Sequence, residues 1–322
     1  MISQAQSIPN VLIKFAESLG VELTTNKLDI PAQFGSGYCS GYVFNKNMRV
    51  LISDYVLHKD LIIEQPEELA SGRLLFFKFQ HIFPPVVGKP TQSPSVLIAT
   101  RRISTGDTFS IHSNAETINI EVDVDYLNEL LQPASGSQVL QGLLQDAAPL
   151  FFEQLIDPTL LKVVGEILTP VGKDIFRPFF LRIKAEELIC RLLMELDNRT
   201  EKQLYPVNER DIRTIYQIRD RIISTLATPP LIADLALEAA MSPTKLKQLF
   251  RQIFGYSIFN YYQHFRMKEA ARLLKTENIS VAAVGYQLGF TNLSHFSKLF
   301  DTHIGMKPKR YTQTSAKLRI SE

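Results

Sequence analysis

The spacing of apolar positions changes once along this chain. From Glu22 to about Asp123, short runs rich in β-branched and aromatic residues are separated by Gly, Pro, Asn and Asp, which is the pattern of β-strands. Eight strands are predicted, over residues 22–30, 38–45, 49–57, 60–65, 73–80, 95–100, 107–113 and 117–123. After Asp125 the apolar residues recur every three or four positions, which predicts helices.

The regular spacing of the strands sets the architecture expected for the first part of the chain. No helical segment separates the strands, so a sandwich or a small barrel is favoured over a parallel sheet. We expect a jelly-roll barrel of the cupin kind, whose open end is a common place for a small-molecule pocket. The predicted fold class is multidomain α+β, with a β-rich, cupin-like domain that ends in helices and a second domain that is all-α.

Four helices are predicted directly after the strands, over residues 125–131, 137–147, 157–168 and 177–196. Asp157 followed by Pro158 is a typical helix start. The last of these helices carries one apolar stripe, made of Leu181, Ala185, Leu188, Leu192 and Leu196. We favour this stripe as core of its own domain, and packing on the same helix of a second subunit is the alternative that stays open.

A hydrophilic stretch over residues 197–210, which contains a proline, is the best linker in the chain. It separates a β-rich domain over residues 1–200, with a helical and candidate dimerising segment at 125–197, from an all-helical domain over residues 208–314. At the start of the second domain, Asn208 and Asp211 resemble a capping box with Asp in place of Glu. The helix that begins there is predicted to run to about Leu226.

Residues 231–255 have the layout of a helix-turn-helix, which presents its second helix to the major groove of DNA. A short helix is followed by a turn at Ala240 and Met241, and Ser242 and Pro243 begin the second helix, which Gly255 closes. The apolar face of this second helix is formed by Leu246, Leu249, Phe250 and Ile253.

The polar face of the same helix supplies candidate DNA contacts. Thr244, Lys247 and Gln248 lie within its first two turns, the part that reaches base edges. Gln suits adenine, and Lys suits guanine or a phosphate. Lys245 and Arg251 lie beside them and are predicted to contact phosphates.

A second helix-turn-helix is predicted over residues 280–305, after a linking helix at 259–275. Ser280 caps its first helix, Gly289 ends that helix, and Asn292 caps the second. Its predicted base contacts are Leu293, Ser294 and Lys298, and its predicted phosphate contacts, including the basic segment that follows, are His295, Lys307, Lys309 and Arg310. For His295 the alternative is a packed or solvated histidine.

Charge is distributed unevenly along the chain. Residues 210–322 hold 17 lysines and arginines against 8 acidic residues, whereas residues 1–209 hold 18 against 25. A net charge of +9 in one half and −7 in the other indicates a polyanion-binding module joined to a different kind of domain. The overall hydrophobic content of 45% is ordinary for a globular protein.

Several sequence features indicate the compartment. No run of 18 apolar residues and no signal peptide is present, so no membrane association is expected. The cysteines Cys39 and Cys190 are far apart and fit no metal or redox spacing. A reducing cytoplasm is therefore the expected location.

The segment from about Leu231 to Tyr311 resembles the DNA-binding domain of the AraC/XylS family of bacterial transcription regulators. The resemblance rests on six stretches in the right order, IADLALEA, MSPTKLKQLFRQIFG, YYQHFRMKEAARLL, SVAAVGYQLGF, NLSHFSKLFDTHIG and KPKRY. SPTKL, GYQLGF and NLSHF are especially similar to the branch that contains the pyochelin siderophore regulator. The resemblance implies an effector-sensing N-terminal domain with a small-molecule effector, siderophores included, and a ligand-responsive activator that binds promoter DNA and RNA polymerase and forms a homodimer.

Three positions depart from the family pattern. Lys307 stands where many members have Thr, and Gly285 stands where Ala is common, which loosens the supporting helix. Leu293 is apolar where other members often place a polar base contact. We therefore expect the second recognition helix to read less sequence than the first.

Two alternative functions stand beside this one, a cupin-type metal enzyme fused to a DNA-binding module and a nonspecific architectural DNA-binding protein. The β-rich half contains His58, His81 and His112, and none forms an H-x-H pair. The chain has no phosphate-binding or nucleophile motif. We therefore expect no enzyme activity, no metal and no cofactor, and two capped recognition helices argue against an architectural role.

The effector pocket is only weakly indicated by the sequence. Arg49, Arg73 and Arg101 are candidates to hold an acidic ligand, and Tyr42 and Phe44 are candidates to line an apolar pocket. For each aromatic residue, a place in the core is the more frequent alternative.

Overall fold

The computed structural model describes residues 8–64, 73–83, 93–100, 108–111, 114–131, 136–145, 148–169, 173–201, 203–276 and 279–313. The chain divides into two units, an N-terminal unit of residues 1–208 and a C-terminal unit of residues 209–322. Within the described ranges, none of the helices combines the length and the apolarity needed to cross a bilayer.

The strands of the N-terminal unit are β1 (Lys27–Asp29), β2 (Gly35–Asn45), β3 (Met48–Leu57), β4 (Leu61–Glu64), β5 (Leu74–Gln80), β6 (Ser95–Thr100), β7 (Thr108–Ile111), β8 (Asn114–Asp123) and β9 (Phe151–Leu155). Among the described residues, seven of them form an antiparallel sheet in the order β1-β2-β3-β8-β5-β6-β9. β4 and β7 form a separate antiparallel pair. The prediction of a β-rich first part and an all-helical last part is confirmed.

The alternating pattern of the strands gives the large sheet two apolar faces. On one face Val50 and Ile52 of β3 lie opposite Ile120 and Ile118 of β8, and all four are buried. On the other face, helix α1 (Asn10–Ser18) packs Leu12, Phe15 and Ala16 against a second cluster that includes Cys39 and Tyr55. Both faces of the central strands are therefore covered.

The other helices of this unit are α2 (Val124–Leu131), α3 (Gln138–Gln145), α4 (Pro158–Leu168) and α5 (Arg177–Asp197). Asp157 accepts hydrogen bonds from the amides of Thr159 and Leu160, as its predicted capping role requires, and these bonds lower the pKa of its carboxyl, with the Leu160 amide contributing most. The predicted stripe on α5 is buried in the main core of its own unit, so the core interpretation is confirmed.

Strand β9 was not predicted. It follows a helical pattern and contains only five residues, of which Phe151, Phe152 and Glu153 are buried. Its pairing partner is β6, more than fifty residues earlier in the chain, with Ile98 opposite Phe152. A short segment with no period of its own gives no local signal for such a distant pairing.

The helices of the C-terminal unit are α6 (Glu209–Ser224), α7 (Ile232–Glu238), α8 (Pro243–Phe254), α9 (Ile258–Thr276), α10 (Val281–Gln287) and α11 (Leu293–Ile304). They match the predicted helices to within about two residues at most ends. α9 contributes Met267, Ala270 and Leu273 to a core that also contains Phe296 and Phe300 of α11. α9 therefore provides the apolar surface on which the second helix-turn-helix packs.

Candidate nucleic-acid interface

The start of α8 is fixed by local capping. The Oγ atom of Ser242 accepts a hydrogen bond from the Lys245 amide at 3.2 Å, and Pro243 occupies the first helical position. The turn before it is tight because Ala240 has a positive φ of 50°. Gly255 ends the helix with a φ of 75°, a left-handed conformation that favours glycine. The caps predicted for α8 are confirmed.

The two sides of α8 have opposite environments. Thr244, Lys247 and Gln248 are exposed to solvent. Since their spacing places them on one side of the helix, the structure brings the three predicted base contacts together in its first two turns. The other side is buried and is formed by Leu246, Leu249, Phe250 and Ile253.

Of the two cations predicted to contact phosphates from α8, Lys245 already has an acidic partner. Its Nζ atom lies 3.0 Å from the Oδ1 atom of Asp211 in the first turn of α6. Asp211 is only 9% exposed, whereas half of the Lys245 side chain is exposed. No local sequence pattern indicates this pair, because the partners are 34 positions apart. Arg251 is exposed two turns from the start of α8.

α11 begins with the same kind of cap. The Oδ1 atom of Asn292 accepts a hydrogen bond from the His295 amide at 3.0 Å. Ser294, His295 and Lys298 are exposed along the helix. The centroids of the His295 and Phe290 rings are 6.0 Å apart, so this exposed histidine has an aromatic neighbour.

Leu293 packs within the second helix-turn-helix. It is half-buried, and a β-carbon built on Gly285 of α10 would lie 2.7 Å from its Cδ2 atom and 3.3 Å from the Phe296 ring. Leu293 and Phe296 therefore fill the space that the missing side chain of Gly285 leaves. Gly285 and Leu293, which both depart from the family pattern, therefore pack against each other.

The basic segment after α11 is anchored by apolar residues. Lys307, Lys309 and Arg310 are exposed, and residues 308–313 are helical. Pro308 is buried, and the Tyr311 ring lies 5.5 Å from the ring of Phe300. The segment is thus held on the core while its three cations face solvent.

The turn of the second helix-turn-helix is held by Arg266 of α9. Arg266 is 4% exposed, and its guanidinium donates two hydrogen bonds to the Leu288 carbonyl, from Nε at 2.9 Å and from Nη2 at 2.6 Å. Its central carbon lies 3.6 Å from the centroid of the Phe290 ring. Burial lowers the pKa of this guanidinium, and the carbonyl and the aromatic face compensate for the lost water.

The same turn lies against the end of α6. Gly289 has a φ of 78°, and a β-carbon on it would lie 2.0 Å from the Ala227 carbonyl oxygen. The Tyr262 hydroxyl of α9 donates a hydrogen bond to the neighbouring Leu226 carbonyl at 2.9 Å. The segment that follows α6 therefore meets α9 and the second helix-turn-helix at one point, through the backbone carbonyls of Leu226 and Ala227.

The C-terminal unit is similar in sequence to known regulatory proteins. A helix-turn-helix domain family matches residues 235–314. The arabinose operon regulatory protein of Escherichia coli strain K12 is 28% identical over 133 residues, which is 41% of this chain and 44% of that protein. The regulatory protein PchR of Pseudomonas aeruginosa is 38% identical over 71 residues, 22% of this chain and 24% of that protein.

The C-terminal unit carries an AraC-type helix-turn-helix domain. The resemblance drawn from the sequence is confirmed for this part of the chain. The chain spans less than half the length of these two relatives. A crystal structure of a DNA-binding transcriptional dual regulator from Escherichia coli K-12 matches at 25% identity over 31% of this chain and 96% of that chain, with a TM-score of 0.29.

The AraC-type domain also contains a histidine in an apolar setting. The Nε2 atom of His264 on α9 is buried and has no hydrogen-bond partner among the described residues. Its ring centroid lies 6.0 Å from that of Tyr256 and 6.1 Å from that of His303. Burial, reinforced by the charges of Lys268 and His303, lowers the pKa of this imidazole from 6.5 to about 4.

The structure does not gather the candidate effector residues into one place. Arg49 lies 2.7 Å from the Glu121 carboxylate, on the face of the sheet that α1 covers. Tyr42 and Phe44, whose rings stack with centroids 6.2 Å apart, pack against the main core on the opposite face. Arg73 binds Asp125 and the Leu144 carbonyl. Arg101 lies outside the described residues.

Cavities and metal-ligating groups in the N-terminal unit give little further indication of a ligand site. A cavity of about 120 Å³ is lined by Gln33, Phe34, Leu57, His58, Lys59 and Leu61. This volume is well below the ~300 Å³ at which small-molecule pockets usually begin. Within the described ranges, no group of three or more His, Cys, Asp or Glu residues is arranged to hold a metal ion.

Proposed function

We propose that this protein is a sequence-specific, DNA-binding transcription regulator of the AraC type. The observation that carries the proposal is the exposed row of Thr244, Lys247 and Gln248 on the first two turns of α8, within the matched domain. Gln248 is assigned to an adenine edge, and Lys247 to guanine or to a phosphate. Thr244 is assigned either to a hydrogen bond with a base edge or to an apolar contact with the methyl group of thymine.

In this proposal α11 enters the next segment of major groove. Ser294 and Lys298 contribute base contacts there, while Leu293 acts mainly through its packing on Gly285. Phosphates on either side are held by the exposed cations Lys245, Arg251, His295, Lys307, Lys309 and Arg310. A rigid α9 would hold the two recognition helices about one DNA turn, ~34 Å, apart.

Selection of bound DNA from a random pool tests this proposal. The full chain is expected to enrich an asymmetric site that covers two consecutive major-groove segments, with protection of both in a footprint. Enrichment of no sequence, with binding of every duplex alike, would leave the architectural alternative in place of sequence-specific regulation.

We further propose that the N-terminal unit senses a small effector, siderophores included, that the protein is not an enzyme, and that it activates transcription through RNA polymerase in the cytoplasm. The proposal is supported by the β-rich unit joined to an AraC-type domain. A thermal-shift screen of the full chain against siderophores, sugars and aromatic acids should find a ligand that raises the melting temperature by mass action. If no compound raises the melting temperature, that result favours a sensor that responds to a protein partner instead.

Transcription in a purified system tests the activator role. With promoter DNA that contains the selected site and with RNA polymerase, adding the protein and its effector should raise the amount of transcript. A fall in transcript would identify the protein as a repressor.

A homodimer through the start of α5 is also part of the proposal. Ile175, Phe176 and Phe179 are 80%, 62% and 66% exposed, an unusual concentration of large apolar side chains. A two-fold axis beside Phe179 would bury these side chains against their own copies, since such an interface is self-complementary. Sedimentation should show that Phe179→Asp converts a dimer into a monomer, while Met194→Asp, further along α5, keeps the dimer. Equal masses for wild type and Phe179→Asp would show that these residues do not form a dimer interface.

A further inference from the structure

The ion pair between Lys245 and Asp211 joins the first recognition helix to the first helix of the C-terminal unit. The Nζ–Oδ1 distance is 3.0 Å, and the pair is asymmetric, because the Asp211 side chain is 13% exposed and the Lys245 side chain is 51% exposed. The carboxylate is thus part of the protein interior, whereas the ammonium group lies at its surface beside the predicted base contacts.

The position of Asp211 relative to α8 is fixed by packing. Ile215, Ile218 and Ile222 of α6 are buried, and the Tyr216 ring lies 5.5 Å from the ring of Phe254 at the far end of α8. The carboxylate therefore stays beside the start of α8, while the long Lys245 side chain is free to turn toward another anion.

A DNA phosphate is such an anion. Lys245 is the third residue of a helix whose N-terminus carries a partial positive charge, where phosphates bind readily. A phosphate that approaches this ammonium group competes with the Asp211 carboxylate for its charge and its hydrogen bonds. Binding of Lys245 to DNA therefore weakens a half-exposed ion pair within the protein.

We propose that Asp211 is an internal competitor of DNA for Lys245 and that it lowers the affinity of the protein for any duplex. This inference rests on the proposed DNA binding. It assigns to Asp211 an effect on DNA affinity although Asp211 does not itself contact DNA. Removing the carboxylate releases the ammonium group before DNA arrives, so affinity rises without any new contact.

The test compares four full-length proteins, wild type, Asp211→Asn, Lys245→Gln and the double variant, on a random-sequence duplex of about three helical turns. Asp211→Asn should raise affinity about two- to five-fold, the factor that corresponds to a half-exposed ion pair. Lys245→Gln should weaken binding and reduce the salt slope by about 0.9, the contribution of one phosphate. In the Lys245→Gln background, Asp211→Asn should have no effect.

Asp220→Asn is the matched control for net charge. Asp220 lies on the same helix, is 61% exposed and pairs with its neighbour Arg219 instead of α8. Its substitution should change affinity much less than Asp211→Asn does, and an equal gain from the two would overturn the proposal. Where melting shows that Asp211→Asn does not fold, Asp211→Ser, which also removes the carboxylate, takes its place in the same comparison.

The remaining outcomes are also decisive. An unchanged or lower affinity of a folded Asp211→Asn protein would refute the competition, while binding by the wild type would leave the proposed function standing. An equal gain with and without Lys245 would mean that Asp211 repels DNA directly, and would refute it as well. A wild type that binds no duplex at low salt would overturn the proposed function together with this inference.

Discussion

Gly289 and Gly305 have almost the same backbone conformation in different surroundings. Their φ angles are 78° and 81°, but a β-carbon on Gly289 would lie 2.0 Å from the Ala227 carbonyl oxygen, whereas nothing lies within 4 Å of one on Gly305. Gly305→Ala therefore meets only the left-handed backbone penalty, about 1–2 kcal/mol. Gly289→Ala also forces two backbone segments apart, and we expect a loss of about 4 kcal/mol or more.

Hydrogen exchange of the full chain, followed on peptides from α9 to α11, measures the difference. Gly289→Ala should remove most of the protection in these peptides, and Gly305→Ala should reduce it only partly. Equal effects of the two substitutions would show that the close contact with Ala227 does not constrain the turn.

The neutral, buried imidazole of His264 makes the stability of the C-terminal unit depend on pH. The folded pKa is lowered to about 4 from 6.5, so between these values the unfolded chain binds a proton that the folded chain does not. This contribution to stability is constant above about pH 6.5, falls as the pH drops toward 4, and is constant again below it.

His264→Gln should remove this part of the pH dependence. The melting temperature of the full chain, measured at about pH 7.5 and about pH 5, should fall less in the variant than in the wild type, because the variant lacks the proton that the unfolded wild type takes up. An identical fall in both proteins would mean that His264 accepts a proton in the folded state over this range.

At the scale of elements, α9 holds the second helix-turn-helix through Arg266. Arg266→Lys keeps the charge but loses one of the two bonds to the Leu288 carbonyl and the flat contact with Phe290. We expect a loss of about 1.5–3 kcal/mol and faster hydrogen exchange in peptides from α10 and α11.

Arg272→Lys on the same helix is the control for this substitution. Arg272 is about half-exposed and pairs with Glu269 across one helical turn, so its replacement should change stability by no more than about 0.5 kcal/mol. If both substitutions leave exchange unchanged, the buried guanidinium does not hold the turn.

The elements also show which features of the fold were accessible from sequence. Ser242, Asn292 and Asp157 cap their helices through amides two or three residues away, so a local pattern was enough to place these starts. β9 was missed because its signal is the distant pairing with β6. The order of the central strands, β3-β8-β5, likewise depends on contacts that no local period encodes.

Part of the candidate interface could likewise be predicted from local sequence patterns, and part could not. Helical period alone separated the exposed Thr244, Lys247 and Gln248 from the buried face of α8. The Asp211 partner of Lys245 and the fit of Leu293 on Gly285 join separate helices, and they become visible only when those helices are packed. The effector candidates rest on residue type alone, with no spacing rule, and the sheet places Arg49 and Tyr42 on opposite faces.

At the scale of the whole molecule, we propose that α8 reads the DNA sequence while the basic segment after α11 binds the phosphate backbone of the DNA. Substitutions of Gln248 and Lys309 test these two roles separately. Both side chains are exposed, and Gln248 lies on α8 whereas Lys309 lies on the basic segment. A lost base contact lowers specificity, whereas a lost phosphate contact lowers affinity for all sequences alike.

The most direct measurement is the affinity of the full chain for its selected site and for a random duplex, determined across a salt series. Gln248→Ala should lower the ratio of the two affinities about ten-fold and leave binding to the random duplex nearly unchanged. Lys309→Ala should keep the ratio, weaken both duplexes alike and reduce the salt slope by about 0.9. An equal loss on both duplexes for Gln248→Ala would contradict the assignment of α8 as the helix that reads sequence.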